Sequence, residues 1–291
     1  MNNPKTSPFG KLDDLQMPAS AFSPMSISDA DFIRLSNFIQ STYGINLSQK
    51  RQLITGRLST SIRQRGYKNF TEFVDHLLKK KDEEEITFVL NKLTTNYTFF
   101  MREKDHLDYF CRNIIPELVR RHQKDKVLSI WSAGCSSGEE PYNISMYIKE
   151  FLGPEAPKWD TRILATDISQ KVLAAAKRGV YELPDNMPDN FRKKYFTPVK
   201  GTDQYQVAPV IKENVIFQTF NLMDPIKFRL KFDVIFCRNV MIYFDQPTKD
   251  ALVRRFHDAT VPGGYLMIGH SENLGKDMPY RTVAPSTFQR R

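Results

Sequence analysis

From Val127 onward the chain repeats one rhythm: a short apolar run, a turn, a stretch with helical spacing, then another run. The runs are VLSIW (127–131), RILATD (162–167), VIFQTF (215–220), FDVIFC (232–237) and YLMIG (265–269), rich in β-branched and aromatic residues. Strands that read apolar throughout, separated by helices, belong to a parallel sheet buried on both faces. Such sheets bind ligands outside the carboxyl ends of the strands, near the point where strand order reverses. One stretch breaks the rhythm. YFTPVKGTDQYQVAPVIKEN (195–214) alternates weakly and carries Gly, Pro and Asp turn signals, which predicts a small antiparallel β insertion at about 192–214.

The part before this sheet has a different grammar. Between Ser26 and about Leu90 the apolar residues recur at helical spacing with no strand alternation. Ser28 is a predicted N-cap with Asp31 at the capping-box position, followed by an apolar face of Phe32, Leu35, Phe38 and Ile39. Tyr43-Gly44 ends that helix. A second helix is expected through SQKRQLITGRLSTSIRQRG (48–66), a third is marked by Phe70, Phe73, Val74 and Leu77, and a fourth spans Ile86 to Leu93. The expected organisation is a helical domain over 25–90, a linker over 91–104 and an α/β domain over 105–291. Residues 1–24, rich in Pro, Ser and Asn, read as a disordered tail.

Composition narrows the setting. No apolar run approaches the length of a membrane span, and the N-terminus has no apolar core of a secretory signal, so a cytoplasmic protein without membrane insertion is expected. Cys111, Cys135 and Cys237 are odd in number and widely spaced, which predicts neither a disulfide framework nor a zinc site, and no metal is expected. The formal charge of +9 favours acidic partners without naming one.

Four short stretches carry the chemistry. AGCSSGEEPY (133–142) has the glycines of a nucleotide-binding turn at Gly134 and Gly138, with a helix expected to start near Pro141. Its middle position is Ser136, and Glu139 and Glu140 would repel a diphosphate docked there. Glutamates at a helix start are also favoured by the macrodipole, so the feature alone has two readings. Asp167 ends ILATD where a carboxylate can accept both hydroxyls of a ribose, or cap the next helix. In TFNLMD, Asn221 and Leu222 offer an amide to an adenine edge and an apolar wall to its face. FDVIFCRNVMIYF ends in Arg238 and Asn239, with Tyr243 one turn on; an arginine at a buried strand end needs an anionic partner. A ligand with adenine and ribose, no phosphate and two cationic groups suits this set, and S-adenosylmethionine is that ligand.

The strings LTTNYTFFMRE, SAGCSSGEEPYNIS, FCRNVMIYF and GGYLMIGHSEN resemble those of the chemotaxis-receptor glutamate methyltransferases, the CheR family, from about Ser26 to the C-terminus. The resemblance implies an all-α N-terminal domain, a linker and a Rossmann-like S-adenosylmethionine-dependent methyltransferase sheet with a β-subdomain insertion. It implies methyl transfer to glutamates in the cytoplasmic helical domain of transmembrane chemoreceptors. By position, Asn96, Thr98 and Arg102 would close over the methionine portion of the cofactor. Glu140, or its neighbour Glu139, would take the α-ammonium; Asp167 would hold the ribose, and Asn221 and Leu222 the adenine. Arg238, Asn239 and Tyr243 would surround the methyl group, with Arg102 and Tyr243 positioning the incoming carboxylate. The insertion around Lys200-Gly201-Thr202 is shorter than in relatives that grip a receptor tether and lacks their Gly-x-Gly.

The second predicted helix is basic. Lys50 and Arg57 share one stripe, Arg51 and Arg65 another, and Arg63 adds to the charge, which suits docking along an acidic receptor helix by a monomeric enzyme. Solvated surface charge is the plain alternative. A nucleic-acid methylase is disfavoured because no [DN]PP[YF] tetrapeptide or aromatic-lined basic channel is present. A dinucleotide oxidoreductase is disfavoured by the glutamates at the glycine turn. A scaffold that keeps the pocket without chemistry is opposed by the intact Arg102, Asn239 and Tyr243.

Overall fold

The computed structural model describes residues 25–94 and 97–291; the predicted tail 1–24 and the site candidate Asn96 lie outside the described residues. The chain opens with α1 (Asp29–Tyr43), α2 (Arg51–Gln64), α3 (Phe70–Lys80) and α4 (Glu83–Leu93). Ser28 caps α1 as expected, its Oγ accepting the Asp31 N–H at 3.1 Å. The reciprocal half of the capping box differs. The Asp31 carboxylate takes the hydroxyls of Ser28 and Thr71, each at 2.7 Å, because Asp is one methylene shorter than the Glu that reaches the cap backbone. That tie joins the start of α1 to α3. Gly44, at φ 74°, terminates α1. The fourth helix starts at Glu83, earlier than the apolar spacing suggests, because Asp82 caps it through the Glu84 N–H at 2.8 Å.

A long helix then runs from α5 (Lys104–Tyr109) through a π turn (Phe110–Ile114) into α6 (Ile115–Arg121). Beyond it lie β1 (Ile130–Ala133), α7 (Glu139–Leu152), β2 (Ile163–Asp167) and α8 (Gln170–Arg178). Next come β3 (Val180–Tyr181), α9 (Asp189–Tyr195), β4 (Phe196–Pro198), β5 (Tyr205–Val207), α10 (Pro209–Lys212) and β6 (Val215–Thr219). The chain ends with β7 (Phe232–Cys237), α11 (Gln246–Ala259), β8 (Thr260–Ile268), β9 (Tyr280–Ala284) and β10 (Thr287–Arg290).

The main sheet has seven strands in the order β6-β2-β1-β7-β8-β10-β9. The first five are parallel, and β10 and β9 close the edge antiparallel. Strand order reverses between β1 and β7, so the carboxyl ends of β1, β2 and β7 open a crevice. The expected VLSIW strand begins its regular pairing only at Ile130; Val127 forms an isolated bridge to Asp160. The antiparallel insertion is a three-stranded sheet, β3-β5-β4, and reaches back to Val180, before the stretch singled out in the sequence.

The core lies on both faces of the main sheet. On one face Phe110 meets Phe236 edge-on at 5.3 Å, beside Ile144 and Ile148 of α7. On the other, Trp131 is fully buried among Phe220, Phe228, Phe232 and Phe256. The apolar cluster containing Trp131 is continuous with the interior of the four-helix bundle, including Leu35, Ile54 and Leu90. The bundle therefore packs onto the main sheet. Among the described residues no helix is long and apolar enough to cross a membrane.

Candidate active site

The glycine turn after β1 is set by contacts that exclude a side chain. Gly134 has φ 85°, and a Cβ there would stand 2.4 Å from Cγ2 of Val240. The N–H groups of Gly134 and Cys135 both donate to the Thr166 carbonyl at 2.8 Å, which curls the loop toward β2. Ser136, in place of the middle glycine, adopts φ 49° and donates its N–H to Asp167 Oδ2 at 2.9 Å. Gly138, at φ 96°, starts α7 at Glu139, two residues earlier than the Pro141 expected from sequence. Pro141 is accommodated because first-turn N–H groups have no helical acceptor.

This geometry separates the two glutamates. Glu139 is buried, takes the Ser137 hydroxyl at 2.8 Å, and is absent from the cavity wall. Burial pushes its carboxyl above the ordinary value. Glu140 faces the crevice, with Oε1 accepting from Ser132 at 2.7 Å and Oε2 paired with Arg238 at 3.1 Å. The choice left open by the sequence falls on Glu140 as the cavity-facing acid.

The crevice is a cavity of about 450 Å³, within the range of small-molecule sites. Thr98, Arg102, Glu140, Asp167, Asn221, Leu222, Arg238, Asn239 and Tyr243 all line it. Asp167 accepts the N–H groups of Ser136 and Ser169, each at 2.9 Å; burial raises its carboxyl, and these two bonds pull against that rise. Each oxygen of an ionised carboxylate has two lone pairs, so acceptor capacity for hydroxyls is left. Asn221 departs from the simple expectation. Its Nδ2 donates to the Thr42 carbonyl at 2.8 Å and its Oδ1 accepts the Met223 N–H at 3.0 Å. Its side chain fastens the end of α1 to the sheet loop, leaving one amide hydrogen and one lone pair of Oδ1 for a ligand.

Arg238 finds the anionic partners its position demanded. Its side chain is 3% exposed and pairs with Glu103 at 3.0 Å and Glu140 at 3.1 Å, while Nη2 also donates to the Arg102 carbonyl at 2.7 Å. Burial opposes ionisation of Glu103, yet Arg238 and the Asn239 amide hold its carboxyl below the ordinary value. Asn239 sits at φ 60°, its N–H donated to Glu272 Oε2 at 2.9 Å and its Nδ2 to Glu103 Oε1 at 3.1 Å. Glu272 also accepts from Gly269 at 2.7 Å and Ile242 at 3.0 Å, clamping the loop that leads to Tyr243. Arg102 donates to the Tyr97 carbonyl at 2.7 Å while lining the cavity.

Glu103 and Glu272 were not singled out in the sequence. The signal was present as a carboxylate after Arg102 and another after Gly269-His270, but exposed acids look the same in a string. Equally unforeseen, Tyr43, Ile45 and Leu90 of the helical bundle form one wall of the cavity. Ile45 bridges Phe244, the Asn46 N–H donates to the Tyr243 carbonyl at 2.8 Å, and Gln40 reaches Asp245 at 2.7 Å.

The basic stripes on α2 divide. Arg51 pairs with Asp29 at 2.5 Å and lies over the Phe32 ring at 4.7 Å. Arg65 pairs with Glu85 at 3.1 Å and lies over Phe88 at 4.4 Å. Both therefore tie parts of the bundle together while keeping partly exposed side chains. Lys50 stands 5.9 Å from the Tyr243 ring, at the cavity mouth. Arg57 is exposed, donates to the Lys92 carbonyl at 3.1 Å, and lines a shallow cleft between α2 and α4. That cleft meets the main cavity at Thr94. Arg63 is exposed on the same helix.

Comparison with known proteins agrees with this geometry. Residues 96–289 match the family model described as CheR methyltransferase, SAM binding domain, and residues 30–94 match CheR methyltransferase, all-alpha domain. A chemotaxis protein methyltransferase of Borreliella burgdorferi is 38% identical over 91% of this chain and 96% of its own. A probable chemotaxis protein methyltransferase of Rhizobium etli is 38% identical over 81% of this chain and 90% of its own. Chemotaxis protein methyltransferase 1 of Pseudomonas aeruginosa is 37% identical over 86% of this chain and 92% of its own. The chain, with its all-α domain and its S-adenosylmethionine-binding domain, belongs to the CheR methyltransferase family.

Proposed function

We propose that the protein transfers a methyl group from S-adenosylmethionine to glutamate side chains in the cytoplasmic helical domain of transmembrane chemoreceptors, forming methyl esters. The observation that carries this reading is the charge of the cavity. Glu140 stands in the first turn of α7, where a dinucleotide enzyme would place phosphate, and Asp167 ends β2, where a carboxylate can take a ribose; together they suit a cationic, phosphate-free nucleoside. Arg102 can meet the carboxylate of such a ligand, and Leu222 and Phe244 offer apolar walls to its base. The residues present therefore fit the cofactor.

When bound, S-adenosylmethionine supplies an electrophilic methyl on a cationic sulfur. A glutamate side chain is already ionised at neutral pH, so the site needs no general base to create the nucleophile. What the chain contributes is alignment and dryness. Arg102 and Tyr243 hold the incoming carboxylate, while Ile45, Leu222 and Phe244 exclude water from the space where opposite charges cancel. Orientation of this kind can remove about 7–11 kcal/mol of barrier. Arg238 has a different task, since its guanidinium is committed to Glu103 and Glu140: it fixes the Glu140 carboxylate toward the ligand.

Docking falls to Lys50, Arg51, Arg57, Arg63 and Arg65, with the cleft beside Arg57 leading to the cavity through Thr94. A receptor helix laid in that cleft would bring a glutamate to the cavity mouth, recruiting the enzyme to receptor arrays in the cytoplasm. The test is transfer of label from methyl-labelled S-adenosylmethionine to receptor-containing membranes. Label released by mild base as methanol supports ester formation. Base-stable label would mean N-methylation, and no transfer would favour a scaffold.

A further inference from the structure

The geometry points to a binding site for a first-row divalent transition ion, with zinc as the representative, formed by Glu103, His106 and His270 behind the arginine of the donor cavity. Glu103 precedes the first turn of α5, and His106 follows three residues later on the same face. His270 arrives from just beyond the end of β8. One ligating atom from each of the three lies within 4.8 Å of the others. The two imidazoles meet edge to face with centroids 4.2 Å apart.

The second observation is His106 itself. It is 3% exposed, and neither ring nitrogen has a hydrogen-bond partner among the described residues. Its Nδ1 stands 3.4 Å from Glu103 Oε2 without making a hydrogen bond. Buried polar atoms are nearly always paired, so a buried imidazole with both nitrogens idle calls for a partner that the chain alone does not provide. A metal ion is such a partner, and it takes the neutral imidazole.

The carboxylate has room. Glu103 gives one lone pair of Oε2 to Arg238 and one of Oε1 to Asn239, leaving about two of its four acceptor sites. Asp105 reaches His270 Nε2 at 3.2 Å and can orient that ring. Two imidazoles and a carboxylate suit zinc, cobalt or nickel; calcium and magnesium prefer oxygen alone. The Arg238 guanidinium 3.0 Å from Glu103 opposes a second cation, so affinity of micromolar order is expected rather than that of a permanent structural zinc. Because Glu103 also holds Arg238 and Asn239, the ion would sit directly behind the cavity wall.

The experiment uses full-length protein freed of metal by chelation, titrated with zinc by calorimetry and with cobalt by visible absorption. One equivalent should bind, and His270→Ala should weaken binding by about tenfold or more. His257→Ala, on the surface of α11, should leave it unchanged. His270 has a 41% exposed side chain, so its variant reads out binding without risking the fold; His106→Gln, checked by circular dichroism, adds the buried ligand. The cobalt spectrum should lack a thiolate charge-transfer band, since Cys111, Cys135 and Cys237 stand outside the site. The proposal is overturned by absence of binding below millimolar zinc, by a thiolate band, or by affinity that His270→Ala leaves intact. None of these readouts depends on methyl transfer, so failure here would leave the proposed reaction standing.

Discussion

Gly134→Ala offers a measurement in which two physical costs can be separated. The first is conformational: φ at this residue is 85°, and an L side chain in that region costs about 1–2 kcal/mol. The second is steric: the new Cβ would stand 2.4 Å from Val240 Cγ2, closer than real Cβ atoms approach, so Val240 must move. Overpacking of this kind costs about 1–3 kcal/mol. Reduced freedom of the unfolded chain returns about 0.4–1 kcal/mol. The net expectation is a loss of about 1–4.6 kcal/mol, by summing those ranges. Urea denaturation of Gly134→Ala, Val240→Ala and the double variant forms a cycle. The double variant should recover the steric part, a favourable coupling of about 1–3 kcal/mol, and leave the backbone part in place. Turnover should fall with the single variant, because Val240 follows Asn239 on the loop to Tyr243. A single-variant loss under about 0.5 kcal/mol, typical of plain surface changes, would refute the reasoning. So would a cycle with no coupling.

Three further outcomes are expected. Glu140→Gln should weaken S-adenosylmethionine binding about tenfold, roughly 1.4 kcal/mol, and should also lower stability, since the buried Arg238 then keeps only Glu103 as an anionic partner; calorimetry on the folded variant that finds equal affinity would remove the acid from its proposed role. Arg57→Glu should raise KM for receptor and leave cofactor affinity intact, and equal losses in both would count against docking through α2. His122 is pulled down by burial but raised on balance by hydrogen bonds to Asp233 at 2.9 Å and Asp125 at 3.1 Å. A raised histidine contributes stability that is full below its unfolded pKa of about 6.5 and is lost as pH rises through the higher folded value. His122→Gln should therefore lower the melting temperature more at pH 6 than at pH 8.5, and a pH-independent difference would contradict the assignment.

The sheet was legible because its strands are apolar at both faces and so stand out in any window; FDVIFC coincides with β7 residue for residue. The bundle was legible through caps such as Ser28 and Gly44, which act locally. What escaped the string depends on partners distant in sequence. Arg51 and Arg65 share a stripe with other bases, yet Asp29 and Glu85 claim them once the helices pack. The β insertion was read too late because Val180–Tyr181 is too short for alternation to register. Of the cavity, Asp167 and Arg238 at strand ends and Glu140 at the helix start after β1 could be read because their positions follow from the sheet. The supports Glu103 and Glu272 could not, since an acid becomes a clamp only when the groups it holds arrive. His106 was passed over for the same reason, with His270 far off in the chain.

Tyr43, Ile45 and Leu90 give one wall of the cavity to the same bundle that carries the charges proposed for docking. The ties from Thr42 to Asn221, Asn46 to Tyr243 and Gln40 to Asp245 make that wall move with the bundle. Linkage then imposes a symmetry: by whatever factor an occupied donor pocket alters affinity for the receptor, a seated receptor must alter affinity for the donor by the same factor. Donor supply and engagement of the proposed receptor would in that way be read by one thermodynamic balance.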